Sequence, residues 1–267
     1  MNELLLSEIS ADEKSLLQSF VLIEEFIFSN TNDTLYQSLD TIIEQCQAAI
    51  GDIEEPIQSA EHLINELFVE HLLLDNSRAF WPVFSYQLQT GLDHRTIAPI
   101  TKAAIICHIV EACGFLCDLV FVPEKIMVRI ECDELYAIIF DPITGESLSW
   151  HELDNRMDEL GGDPSDYQLP AMPTKSIVFE HISALKSALI RELAFDDALK
   201  CVDVLLAIRP DDPFERRDRG FLLHQLDCFK VAYDDYRFFV EQCPKDPAAQ
   251  LLKIQLDNIN VMDTVLH

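Results

Sequence analysis

The chain holds only 19 Lys and Arg against 47 Asp and Glu, so the place where cations gather is informative. Arg209, Arg216, Arg217 and Arg219 lie close together. Guanidinium groups form paired hydrogen bonds with carboxylates, so such a cluster suits an acidic peptide or a C-terminal carboxylate on a protein partner. Arg216 and Arg219, three apart on one helix face, are the pair expected to meet that partner, with Arg209 beside them. Arg217 is expected to pair with acids among Asp211, Asp212, Glu215 and Asp218 and to solvate the helix start. Arg129 interrupts an apolar strand and is expected to pair with a carboxylate such as Asp141 or Glu131. Cys46, Cys107, Cys113, Cys117, Cys132, Cys201, Cys228 and Cys243 are scattered through apolar runs, and no Cys-x-x-Cys pair occurs. Cys113 and Cys117 with His108 lack a fourth metal ligand, so the thiols are expected to be reduced and buried, and no metal or other cofactor is expected.

The arginine cluster is positioned by a repeat. Phe195, Ala198, Pro210, Asp212 and Pro213 return thirty-four residues later as Phe229, Ala232, Pro244, Asp246 and Pro247. That period is the length of a tetratricopeptide unit, a hairpin of two antiparallel helices. Ala198 and Ala232 suit the closest approach of the two helices, where only a small side chain fits. Gly220 is the matching small residue in the first helix of the second unit, whereas Lys186 stands at the equivalent point of the first. Each Pro-x-Asp-Pro ends one hairpin and supplies an Asp N-cap and a Pro at N1 for the next helix. The apolar spacing from Ala248 to about Val261 predicts a capping helix. Stacked hairpins of this kind generally bind other proteins.

Upstream, Leu16, Phe20, Ile23 and Ile27 mark one apolar face of a helix, and further helices are predicted from Asp33 to Ile50 and from Pro56 to Leu74. Pro99 begins a strongly apolar helix that Gly114 stops. The period then changes to strands over Cys117 to Val122, Ile126 to Glu131 and Leu135 to Phe140, with Asp141-Pro142 closing the third.

Composition sets the class. A chain of 267 residues that is 49% hydrophobic can bury a core and is expected to hold two domains. A formal charge of −28 repels a phosphate backbone and argues against a general nucleic-acid binder. Met1 to Ser10 has Glu3 and Glu8 and no basic region, so no secretory signal is expected, and apolar stretches are broken by charge before they reach membrane-spanning length. A cytoplasmic protein without a membrane partner is the expectation.

A helix whose beginning faces a small antiparallel sheet is the layout of the papain-like and transglutaminase-like core. Pro99-Ile100-Thr101, Pro123 to Arg129, Phe140 to Glu146, Asp212 to Gly220, Phe239 to Pro244 and Val265-Leu266-His267 together resemble the bacterial SirB-type proteins. These join a transglutaminase-like domain to C-terminal tetratricopeptide repeats. The resemblance implies a mainly helical α+β fold: N-terminal helices plus core over 1–160, a linker over 161–176, and repeats with a capping helix over 177–267. It also implies where a catalytic triad would lie. Transglutaminase-like chemistry uses a Cys at a helix N-terminus, a His on a strand and an Asp on the next strand. The corresponding slots are Pro99, Lys125 and Asp141, so only the Asp is kept and no acyl transfer is expected. The expected function is a non-enzymatic adaptor or regulator that binds a protein partner through the repeat groove. The alternative is a hydrolase or amidotransferase built on Thr101, Lys125 and Asp141, which requires the three to converge in an open cleft.

Overall fold

Ser15 begins the first helix by a reciprocal cap: its hydroxyl accepts from Gln18 N and its own N–H donates to the Gln18 side-chain carbonyl, both at 3.2 Å. In this computed structural model, which describes residues 15–29, 34–71, 73–123, 125–158, 169–254 and 256, that helix is α1 (Leu16–Phe28). It buries Leu17, Phe20, Ile23 and Ile27, so the apolar face is the expected one with Leu17 in place of Leu16. α2 (Leu35–Ile50) and α3 (Pro56–Asn65) follow; the Asp33 start signal lies outside the described residues. α3 is capped by the Glu55 carboxylate, which accepts from Ile57 N and Gln58 N. It stops short of Leu74, because the chain widens into a single π turn over Glu66–Glu70. A 3-10 turn (Val83–Tyr86) and the short α4 (Leu88–Asp93) lead to α5 (Pro99–Ala112). α5 buries Thr101 through Cys107 without a break, the mark of a central helix packed on all sides. Gly114, at φ 94, turns the chain out of it.

β1 (Leu116–Val122), β2 (Lys125–Glu131) and β3 (Ala137–Phe140) form an antiparallel sheet in that order. The register sets Asp118 opposite Arg129 and Val128 opposite Phe140. β3 begins two residues later than expected because Asp133 Oδ1 takes the N–H groups of Leu135 and Tyr136 into a turn. α6 (Trp150–Asp158) follows the sheet. Of the linker expected over 161–176, residues 161–168 lie outside the described residues and the rest is structured. Ala171 bridges Val120, Met172 N donates to Leu119 O at 2.7 Å, and α7 (Thr174–Arg191) has begun. The chain divides into two units at His181 and Ile182, inside α7.

The second unit realises the thirty-four-residue period in its backbone. Leu193 and Asp227 both take left-handed conformations, φ 61 and 60, at the turns from α7 into α8 (Phe195–Ile208) and from α9 (Pro213–Gln225) into α10 (Phe229–Gln242). The same hydrogen bonds recur at the same offset: Ala194 N to Leu189 O and Cys228 N to Leu223 O, then Arg209 N to Leu205 O and Cys243 N to Phe239 O. Ala198 and Ala232 are buried as the spacing requires. A Cβ on Gly220 would stand 2.8 Å from the Tyr236 ring, so this crossing admits glycine alone without movement. Helix resumes over 247–254 as a further turn of the stack; residues 257–261 of the predicted capping helix lie outside the described residues.

Candidate functional site

Of the three triad slots, Lys125 and Asp141 meet in an ion pair. Pro99 is the first residue of α5, and Ala98 before it gives no side-chain cap. Thr101 is 0% exposed, and its hydroxyl lies 3.4 Å from Nδ1 of His181, a residue eighty positions away that the sequence does not link to it. His181 is itself buried, stacked on Phe20 with ring centroids 4.0 Å apart, and burial pushes its pKa down to about 3. A neutral imidazole beside a hydroxyl is the general-base arrangement, yet both groups are sealed from a substrate. Lys125 Nζ instead pairs with Asp141 Oδ2 at 2.9 Å, while Asp141 Oδ1 accepts from Ile143 N at 2.7 Å. Burial pushes the Asp141 carboxyl up, and the Lys125 hydrogen bond with the Ile143 amide outweighs it, so the carboxyl is held below its usual range. Asp141 therefore anchors the turn after β3.

A further cation lies near this turn. Lys102, 1% exposed, donates from Nζ to Leu73 O at 2.7 Å. Burial pushes its pKa down to about 8 against the opposing pull of Asp75 and Asp141. The signal for it was a lysine inside a strongly apolar helix. Arg129 pairs with carboxylates as expected, though chiefly with one not named: Asp118, its cross-strand partner, accepts from Nε at 2.9 Å, Leu169 O accepts at 2.8 Å, and Glu131 forms a looser ion pair at 3.9 Å. Asp141 plays no part. The cysteines are free thiols, with Cys107 Sγ 3.1 Å from Cys117 Sγ. Only Cys46, Cys107 and Cys201 are buried as expected; Cys113, Cys117, Cys132 and Cys243 are half-buried and Cys228 is exposed. His108 meets the edge of Tyr36 instead of joining them, and no metal-binding group of three His, Cys, Asp or Glu occurs among the described residues.

In the repeat unit the arginines are distributed differently from the expectation. Arg219 grips Asp235 with two hydrogen bonds of 2.7 Å, and Arg216 reaches the same carboxylate at 3.2 Å. Asp235 is buried on α10, so both guanidinium groups tie α9 to α10 rather than standing ready for a ligand. Arg209 closes α8 at its C-cap. Arg217 pairs with Asp218 as expected, but its guanidinium also lies over the rings of Phe214 and Phe239. Lys186, at the position of a small residue, is buried and donates to Glu215 and Asp218 at 2.8 Å.

It is Arg217 that borders an open groove of about 290 Å³, with Asp218 and Phe221 from α9, Tyr236 from α10, and Ala248, Leu251 and Leu252 from the following helix. Phe221 is 38% and Leu251 66% exposed. The sequence carried the signal as apolar residues on a helix that is otherwise rich in charge.

Residues 33–195 match the model of the transglutaminase-like superfamily, and residues 185–257 match that of the tetratricopeptide repeat. The UPF0162 protein YchA of Escherichia coli strain K12 is 27% identical over 98% of this chain and 99% of its own length. SirB1 of Salmonella typhimurium is 26% identical over 98% of this chain and 99% of its own length. A UPF0162 protein of Vibrio cholerae is 33% identical over 63% of this chain and 64% of its own length. No solved structure matches. No described helix is long and apolar enough to cross a membrane. With its transglutaminase-like unit, its repeat unit and these full-length relatives, the chain belongs to the SirB-type, or UPF0162, family.

Proposed function

We propose that the chain is a non-enzymatic regulator or adaptor that holds a protein partner in the groove of its tetratricopeptide unit. The observation that carries this reading is the groove itself. Phe221, Leu251 and Leu252 present apolar surface on a charged helix pair, and such surface gains most when a partner side chain covers it. Arg217 at its border offers N–H donors to a partner that brings a carboxylate or backbone carbonyl. The groove, rather than Arg216 and Arg219, is the recognition element, because those two already satisfy Asp235.

The absence of catalysis is part of the proposal. Pro99 has no nucleophilic atom, Lys125 is engaged by Asp141, and Thr101 with its neighbour His181 is closed to substrate. The test is site-specific photocrosslinking in cells from position 221, with a matched probe at the exposed Lys230 on α10. The crosslinked protein is then purified and titrated against wild type and Phe221→Asp. We expect crosslinking from position 221 alone and at least a tenfold loss of affinity in the variant. Equal crosslinking from both positions, or unchanged affinity, would remove the groove from the function. Ammonia release from glutamine peptides by the purified wild-type protein would overturn the non-enzymatic reading.

A further inference from the structure

The transglutaminase-like unit carries an open groove of its own, whose lining includes none of the triad slots although it borders the turn that Asp141 anchors. It measures about 440 Å³ and runs between α3 and β3, within the size range of ligand-binding clefts. Its floor is apolar: Ile64 and Phe68 from α3 and the π turn, Ile138 from β3, and Leu148 beyond it. Two of its walls are large apolar side chains left open, Val69 at 52% and Leu74 at 59% exposure.

The shape is built into the backbone. The π turn over Glu66–Glu70 is a widening that recurs at functional sites. It presents Phe68 to Gly145, where a Cβ would lie 2.7 Å from the ring. Gly145 stands at φ 71, so its missing side chain serves both the turn and the ring.

The rim has one sign of charge. Glu61 lines the groove, and Glu146 stands in the chain between the lining Gly145 and Ser147; no Lys or Arg is among the lining residues, while Glu66 and Glu70 of the π turn act on His71 instead. The field extends to the neighbouring hairpin, where burial, Asp133, Glu55 and Glu61 together push the Cys132 thiol up. Among the described residues no ion pair engages Glu61 or Glu146. Unlike the repeat unit, where carboxylates meet internal cations, this rim is left to be neutralised from outside.

We infer that this groove is a second docking surface, for a basic amphipathic segment of a partner protein whose apolar side chains fill the floor while its Lys or Arg residues meet the glutamate rim. Charge decides the occupant. A second copy of this chain, formally −28, would bring more negative charge to the same rim, and an anionic ligand would be repelled likewise.

The test uses three labelled synthetic peptides of equal length against the full chain by fluorescence anisotropy: one of Leu and Lys at helical spacing, one with Glu for Lys, and one with Ser for Leu. Two variants at exposed positions, Glu61→Lys and Leu74→Asp, are each checked by circular dichroism for an unchanged fold. The Leu/Lys peptide is expected to bind, the other two to bind at least tenfold more weakly, and each variant to lose at least tenfold in affinity for the Leu/Lys peptide. Phe221→Asp is expected to leave that binding intact, which separates this surface from the repeat groove. No binding by the Leu/Lys peptide, equal binding by the Ser/Lys peptide, or binding that survives either variant would overturn the inference, the last two by reducing the effect to general attraction to an acidic protein.

Discussion

The histidine beside Thr101 is the residue on which a catalytic and a structural account differ most. A general base must titrate near working pH, whereas His181 is held neutral by burial, with its pKa down to about 3 from 6.5. The sign follows from linkage. The folded state binds the proton less readily than the unfolded chain, so the stability from this group is complete above 6.5 and is lost as pH falls from there toward 3. His181→Phe keeps the stack on Phe20 and removes the titration. It should cost about 1 kcal/mol at neutral pH for the lost Thr101 contact. Wild type should then lose about 3 kcal/mol relative to the variant on going from above pH 7 to about pH 4, at roughly 1.4 kcal/mol per pKa unit. Urea titrations at both pH values measure this, and parallel pH profiles would mean that His181 titrates as an accessible base. The pairing was illegible in sequence because it depends on the packing of α7 against α1 and the start of α5. The Arg129 partner was within reach: writing out the β1–β2 register places Asp118 directly opposite.

At the scale of elements, the thirty-four-residue period was the most legible feature, because small residues at helix crossings and Pro-Asp punctuation are local constraints. What it left out was the phase of one helix against the next, which decides that Arg216 and Arg219 face Asp235 while Arg217 reaches the groove. Lys186 was visible as a departure from the pattern; its consequence, a buried ammonium held by Glu215 and Asp218, needed the geometry of α7 against α9. The crossing at Gly220 gives a test in which two effects oppose. Ala has the better helix propensity by about 1 kcal/mol. Its Cβ would stand 2.8 Å from the Tyr236 ring and 3.2 Å from Ala232 O, and overpacking of that kind costs about 1–3 kcal/mol. Gly220→Ala should therefore destabilise the repeat unit in urea unfolding, and the loss should shrink when Tyr236 is replaced by Leu. A more stable Gly220→Ala protein would mean that the α9–α10 contact is looser than these distances show.

For the molecule as a whole, the charge read from composition is the property that reaches every part of the surface. Residues 52–70 alone carry Asp52, Glu54, Glu55, Glu61, Glu66 and Glu70 without one Lys or Arg. The internal pairs around Asp235 and Lys186 are largely shielded from solvent, so salt acts on them weakly, while exposed carboxylates repel one another across distances that salt screens. The acidic balance could be read from sequence, but its division into a paired interior and an unpaired rim could not, since partners such as Lys186 and Asp218 are far apart in the chain. Screening should then stabilise the protein. Raising sodium chloride from about 0.02 M to about 0.5 M shortens the Debye length from over 20 Å to under 5 Å and should raise the thermal midpoint, by about 2–4 °C for each kcal/mol of repulsion removed. Choline chloride should act equally, because the effect is ionic strength rather than a bound cation. A midpoint that falls with either salt would show that attractive pairs outweigh the repulsion, and the acidic rim would then have less to gain from a basic partner.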